Sequence, residues 1–277
     1  MQRIEIDPAH KAIFAQEGLR TFEAFIGYDR GRVINRNEKR DVNILELGSS
    51  EGGRVYYIKR FFHPHLKDML FTLRSFGRLC SQAELEWRNA RFLLDNGIET
   101  YHPVAWGTET RSGLERRSFF ITKKISGRSL IEVLFDQWDG FDAAQRQGLV
   151  VAMAQFFARL HRARVNLPDA YLWHLFVLEP IAPAGPYTFA IIDLHRMQSN
   201  ADPSRHAARN LAALLYSLPD EWFDAPLRRL FIDTYLASDE KSFITHPEAF
   251  RQSVHKREQI IIARRKKPDL NRLKKLA

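Results

Sequence analysis

Two short stretches carry the residue types of a phosphoryl-transfer site. In Asp169-Ala170-Tyr171-Leu172-Trp173-His174 an acid is followed five residues later by an imidazole. In Asp193-Leu194-His195-Arg196 a second acid comes directly after the apolar run Phe189-Ala190-Ile191-Ile192. Phosphoryl transfer asks little covalent work of a protein. It needs a group that orients the acceptor hydroxyl and takes its proton, oxygen ligands for a hard divalent cation, and a positive charge against the phosphates. Asp169 suits the first task and Asp193 the second. Upstream, Lys59 within Arg54-Val55-Tyr56-Tyr57-Ile58-Lys59-Arg60-Phe61-Phe62 suits the third. Alone, a lysine among β-formers reads as a solvating charge on an edge strand, so its weight comes from the company it keeps.

These residues need elements to hold them. The Lys59 stretch is rich in aromatic and β-branched residues and predicts a strand. Before it, Arg30–Asn35 and Asp41–Leu47 predict two short strands around the polar segment Arg36–Arg40, and Gly48–Gly53 predicts a turn. A helix is expected over Ser81–Asn96, with Ser81 as N-cap, Glu84 reaching back in a capping box, and Asn96-Gly97 as the stop. Glu86 shares a face with Ala90 and Leu93. A carboxylate on that apolar face needs a cation, which favours Glu86 over Glu84 as the partner of Lys59. Leu66, Met69, Leu70, Leu73 and Phe76 recur at helical spacing, with Lys67, Arg74 and Arg78 between them, as in a helix on the sheet or a basic amphipathic helix meeting lipid. Ser118–Ile125 reads as a further strand ending at Ser126-Gly127.

Downstream the pattern turns helical. Asp142 is expected to cap a helix running to about His161, with Leu149, Met153, Phe156, Phe157 and Leu160 as its buried stripe. The strand Leu175–Leu178 and the segment Tyr187–Ile192 form a hairpin. Asp169 then lies just before it and Asp193 at its end. The expectation is an α+β fold of two lobes: residues 1–124 as an antiparallel sheet with a helix, anchoring nucleotide, and residues 125–277 as a mainly helical lobe with the catalytic loop, the metal-binding acid and a basic tail.

Composition agrees with such a chain. Its 277 residues can bury a sizeable core, and the hydrophobic share of 45% is that of a globular protein. The single cysteine, Cys80, rules out an intrachain disulfide framework. No apolar run reaches the roughly 18–20 residues of a membrane span, and Met1-Gln2-Arg3-Ile4-Glu5 does not open a signal peptide. A cytoplasmic protein is expected, with room for peripheral membrane association. The net charge of +9 favours anionic partners, and the basic residues crowd toward the end, in Lys256-Arg257, Arg264–Lys267 and Lys274-Lys275. That tail reads equally as a solvated helix or as a contact for an anionic surface. No helix-turn-helix, zinc-finger or aromatic–basic RNA signature points to nucleic acid.

Together these residues resemble the Kdo/WaaP lipopolysaccharide kinase family. The matching positions are Tyr57-Ile58-Lys59-Arg60, Glu86-Trp87, Gly97-Ile98-Glu99-Thr100, Asp169-x-Tyr171-x-x-His174 and Ile192-Asp193-Leu194-His195-Arg196, spanning roughly residues 30 to 220. His174 and Asp-Leu-His place the chain nearer the core heptose kinase branch than the Kdo kinase branch. The resemblance implies a protein-kinase-like fold and an enzyme that uses ATP and Mg²⁺ to phosphorylate a sugar hydroxyl of the lipopolysaccharide inner core. It makes Asp169 the catalytic acid/base, Asp193 the metal ligand, and Lys59 with Glu86 the ATP-anchoring pair. His174 stands where kinases have asparagine. Imidazole prefers softer metals, so His174 either ligates the ion weakly or donates a hydrogen bond to phosphate or Asp169. A core glycolipid substrate, the anionic inner-membrane face and an acyl-carrier or lipid partner are the associations it implies.

Departures from the pattern are informative. Leu167-Pro168 replaces the usual His-Arg or His-Lys before the catalytic acid, and Asn210 stands where the family usually offers an acid. There is no G-x-G-x-x-G loop. Arg36 and Arg40 occupy its place and are expected to meet the phosphates. No Ala-Pro-Glu motif follows Asp193, which argues against a docking platform for protein substrates. A kinase with another acceptor (a glycan, a small molecule or a protein tyrosine) and an inactive scaffold are the rival expectations.

Overall fold

The computed structural model describes residues 1–48, 53–64, 69–73, 77–181, 185–238 and 243–276. The chain divides into two compact units, Met1–Asp95 with Tyr101–Ile125, and Asn96–Thr100 with Ser126–Ala277.

The first unit is built on strands β1 (Gln2–Ile6), β2 (Arg32–Arg36), β3 (Arg40–Leu47), β4 (Arg54–Phe62), β5 (Pro103–Arg111) and β6 (Leu114–Lys123), in the order β1-β5-β6-β4-β3-β2. Every pairing is antiparallel. β4 therefore lies inside the sheet, between β6 and β3, and the edge-strand reading of Lys59 does not hold. Side chains alternate across a strand, so neighbouring residues of β4 serve opposite faces. Tyr56 and Ile58 are fully buried with Phe14, Phe22 and Phe25, which belong to or flank helices α1 (Lys11–Gln16) and α2 (Phe22–Ile26). Lys59 points to the other face, where helix α3 (Gln82–Asp95) packs on the sheet.

Ser81 caps α3: its Oγ accepts the Glu84 N–H at 3.1 Å. The other half of the expected capping box, Glu84 to the Ser81 N–H, does not form among the described residues. Glu84 pairs with Arg78 and with Arg88 (2.9 Å), while the Gln82 N–H is taken by Glu115 Oε2 at 2.9 Å. Gly97, at φ +67°, ends the helix in the left-handed region that favours glycine. Of the helix expected over residues 66–79, residues 69–73 are helical and residues 77–80 are not; its other residues, and Ser49–Gly52 of the expected turn, lie outside the described residues. Strands β1 and β5 escaped the sequence reading.

The second unit holds a small sheet, β7 (Gly127–Ser129), β8 (Leu175–Leu178) and β9 (Phe189–Ile191), in that order. Its helices are α4 (Leu130–Gln137), α5 (Ala143–Arg162), α6 (Pro203–Ser217), α7 (Ala225–Ala237), α8 (Pro247–Arg264) and α9 (Leu270–Lys274). Asp142 caps α5 in a capping box with Gln145, and the stripe expected on α5 is buried throughout. α5 packs on α7, and α6 on α8. The segment Asn96–Thr100 joins this unit by backbone pairing: the Ile191 N–H donates to Glu99 O at 3.1 Å, and Thr100 Oγ1 donates to Ile191 O. Among the described residues no helix is long and apolar enough to cross a membrane.

Candidate active site

In the first unit Lys59 Nζ lies 2.5 Å from Glu86 Oε1. Side-chain exposure is 14% for the lysine and 2% for the glutamate, so the ion pair is largely withdrawn from water. The Tyr101 hydroxyl donates to the other carboxylate oxygen, Oε2, at 3.0 Å. This satisfies a buried anion that would otherwise be costly. One side of Lys59 also faces the Phe61 ring, 5.4 Å from its centroid. Glu84, by contrast, is spent on arginines at the helix start.

The β2–β3 hairpin, which replaces a glycine-rich loop, is closed by a side chain. Asn37 Oδ1 accepts the N–H groups of Lys39 and Arg40, each at 2.9 Å. Arg36 ends β2, exposed, with its guanidinium 3.6 Å from Asp41; Arg40 opens β3 opposite Phe61. Sequence reading missed what supports this hairpin. Arg60 forks onto both oxygens of Asp41 at 2.8 and 2.9 Å, and also donates to Ile26 O and Tyr28 O. All of this lies on the face opposite Lys59, and the only sequence signal was an arginine in a strand that buries both faces.

In the second unit the hairpin brings the two motifs together. Leu175 pairs with Ile191, and the Ile192 N–H donates to His174 O at 2.9 Å, so His174 and Asp193 flank the last rung of one ladder. Asp193 has a left-handed backbone, φ 61° and ψ 65°, a conformation in which aspartate is among the better tolerated residues. A single 3₁₀ turn, Leu194–Arg196, follows. Leu194 is fully buried and anchors it. From that turn His195 Nδ1 donates to Asp193 Oδ1 at 2.8 Å, and Arg196 Nη1 donates to Asp169 Oδ1 at 2.9 Å. Neither contact was anticipated, although both residues stand inside the motif.

The tautomer of His174 follows from its partner. Its Nδ1 lies 2.8 Å from the Asp169 carbonyl oxygen, which can only accept, so Nδ1 carries the proton. Burial lowers the His174 pKa, against the opposing pull of Asp193 and of the Asp169 carbonyl, which favours the neutral ring. Its Nε2 then presents a lone pair 3.7 Å from Asp193 Oδ2. Two acceptors at that separation suit a cation shared between them. Among the described residues no three ligand-type side chains cluster. The protein's share would be these two donors, as Mg²⁺ commonly takes its remaining ligands from water and phosphate.

Asp169 has 12% side-chain exposure. Arg196 holds Oδ1, while Oδ2 is buried and has no hydrogen-bond partner. Behind it runs a chain of neutral groups. The Asn210 Oδ1 accepts the Leu167 N–H at 2.9 Å and lies 3.2 Å from His161 Nε2; its Nδ2 donates to Asn166 Oδ1 at 3.0 Å. The Asn166 Nδ2 reaches Gln198 Oε1 at 2.7 Å, and His161 Nδ1 lies 2.8 Å from the Tyr235 hydroxyl. The unusual Asn210 is thus a buried hub under the Asp169 loop.

An antiparallel sheet carrying a lysine–glutamate pair, together with a mainly helical unit that presents two acids around a short hairpin, defines an α+β fold of the protein-kinase-like class. The chain belongs to the lipopolysaccharide kinase (Kdo/WaaP) family, whose model matches residues 26–235. It is 30% identical over 242 residues to the lipopolysaccharide core heptose(I) kinase WaaP of Pseudomonas aeruginosa, covering 83% of this chain and 88% of that one. The protein of the same name from Escherichia coli K12 is 27% identical over 68% of this chain and 71% of its own length. A solved structure of WaaP in complex with acyl carrier protein superposes with a TM-score of 0.69 at 23% identity, covering 94% of this chain and 99% of that chain. That likeness supports the fold.

Proposed function

We propose that this enzyme transfers the γ-phosphoryl group of ATP to a heptose hydroxyl of the lipopolysaccharide inner core. The observation that carries the chemistry is the state of Asp169: a carboxylate just before the hairpin that keeps 12% side-chain exposure and is oriented by Arg196 through Oδ1. Such a carboxylate is set to accept a hydrogen bond from an acceptor hydroxyl and to take its proton as the new bond to phosphorus forms. The heptose assignment rests on the family and on the names of the relatives.

Lys59, held by Glu86 and Tyr101, supplies positive charge to the nucleotide's phosphates. Arg40, which opens β3 opposite Phe61, is the hairpin arginine on the Lys59 face and meets the same phosphates; Arg36, expected to join it, is held by Asp41 on the opposite face. Asp193 and the neutral His174 would hold Mg²⁺, and His195 fixes the Asp193 carboxylate through Oδ1. When bound, the ion neutralises charge on the transferring phosphoryl group. Residues 1–124 serve as the nucleotide-anchoring lobe and residues 125–277 as the catalytic lobe. An acyl-carrier partner is part of this reading, supported by the solved relative, which is in complex with acyl carrier protein, and by the exposed Leu70, Leu73 and Leu79 of this chain.

The test is phosphate transfer to dephosphorylated core glycolipid, followed by mass spectrometry. Asp169→Asn and Asp193→Ala should each lower turnover by about a thousandfold or more. Equal transfer by wild type and both variants would end this assignment. The exposed basic tail is proposed to hold the enzyme on the anionic inner-membrane face. Lys267 pairs with Asp220 and is spent structurally, so the informative reversal is Arg264, Lys266, Lys274 and Lys275 to glutamate. Binding to anionic vesicles should fall about a hundredfold or more; undiminished binding would refute the membrane role.

A further inference from the structure

The Asp169 loop carries more than its acid. In the 3₁₀ turn Leu172–His174 only Leu172 is buried, and the aromatic residues on either side of it stay partly open. The Tyr171 and Trp173 rings stack on each other, centroids 4.7 Å apart and planes 20° from parallel. The stack stays half-buried at the Asp169 loop, with Tyr171 also meeting His174 edge-on at 5.9 Å. A rigid pair of aromatic faces is the usual lining of a small-molecule site, and it offers a flat apolar surface to the C–H face of a sugar.

Two arginines flank this stack. Arg196 comes from the turn after Asp193 and is half-exposed even while it holds Asp169. Arg265, exposed, comes from the end of α8. The tail reaches this place through Tyr216, whose ring meets Tyr171 edge-on at 6.3 Å and whose hydroxyl donates to Lys266 O at 2.9 Å. The Tyr171 hydroxyl registers both cations. Burial and the Asp169 carboxylate raise its pKa, while Arg265 and Arg196 oppose them.

We propose that Tyr171, Trp173, Arg196 and Arg265 form the acceptor subsite, and that its ligand is a sugar bearing an anionic substituent close to the hydroxyl presented to Asp169. This inference rests on the kinase reading above and adds to it the residues that choose the acceptor. The stack takes the ring face, and the guanidinium groups take the anion through charge-assisted hydrogen bonds. The anion is a phosphate or a sugar-acid carboxylate.

Calorimetric titration of the full-length enzyme, without ATP, separates this inference from the reaction. The probes are deacylated inner-core oligosaccharides: one with both phosphate and carboxylate, one with phosphate removed, and one with the carboxylate also reduced to the alcohol. Trp173→Ala and Arg265→Gln should each weaken binding of the first probe about tenfold. Trp173→Phe, which keeps a stacking ring, should retain most of the affinity. Arg265→Gln should lose its effect on whichever probe first lacks the recognised anion, which identifies the source. In turnover, the same variants should raise the acceptor KM and leave the ATP KM in place. Wild-type binding by Trp173→Ala, or no binding of any probe by wild type, overturns the subsite. Binding that follows these expectations without phosphate transfer overturns the kinase reading and leaves the subsite standing.

Discussion

Asn210→Ala tests whether the Asp169 loop is held from below. Asn210 is fully buried and makes three side-chain interactions, with the Leu167 N–H, His161 Nε2 and Asn166 Oδ1. Truncation leaves two buried donors and one buried acceptor without a partner. Each costs about 1–3 kcal/mol, and a water entering the vacated space recovers part of the sum, so a loss of about 3 kcal/mol is expected. Leu167 and Asn166 immediately precede Pro168-Asp169, so the loosened loop displaces the catalytic carboxylate. A misplacement on the order of 1 Å lowers turnover about a hundredfold. The ATP KM should stay within about twofold, because the ground-state grip on nucleotide is assigned to Lys59 and Glu86 in the other unit. Asn210→Asp keeps the acceptor for both donors but faces Asn166 Oδ1 with a second acceptor and buries a carboxylate, so it should not restore wild-type stability. Urea unfolding followed by circular dichroism, with steady-state kinetics on the same preparations, measures all of these. An Asn210→Ala enzyme within about 1 kcal/mol of wild type and with full turnover would refute the hub.

Two further outcomes follow from buried charge. Burial lowers the His161 pKa from 6.5 to about 4 in the folded protein. Its neutral form thus contributes full stability above pH 6.5, and that contribution is lost as pH falls from 6.5 toward 4. The span of about 2.5 pH units is worth about 3 kcal/mol. His161→Gln, which can still donate to Asn210 and accept from Tyr235, should flatten the unfolding free energy over that range by the same amount; parallel pH profiles for the two proteins would refute this. Glu86→Ala removes the carboxylate that pairs with a largely buried lysine and accepts from the Tyr101 hydroxyl. It should destabilise the protein by about 3 kcal/mol, the low end for a broken buried pair because Lys59 keeps some access to water. It should also raise the ATP KM, and an unchanged ATP KM would remove the pair from nucleotide binding.

The fold class and family were legible in the sequence because they rest on local patterns: β-formers around Lys59, a cap and a stop around α3, a helical stripe on α5, and two acids bracketing a hairpin. Glu86 could be preferred to Glu84 because the two are about half a turn apart and only Glu86 shares the face of Ala90 and Leu93. What failed had physical causes. Glu84 was expected to reach back to its own helix start, but Arg78 and Arg88 hold its carboxylate; Arg88 stands at the i,i+4 spacing that the sequence did offer, whereas Arg78 carries no periodic signal.

The residue types and their order determined what this protein could be, since a strand lysine, a helix glutamate and two spaced aspartates already specify charges and proton acceptors. Only the tertiary structure decided how those groups are held. It seated Lys59 inside the sheet, turned the His174 ring so that its lone pair faces Asp193, set Arg196 on one oxygen of Asp169, and placed Asn210 beneath the loop. Hydrogen-bond direction and burial depend on contacts between segments tens of residues apart, and no local pattern encodes them.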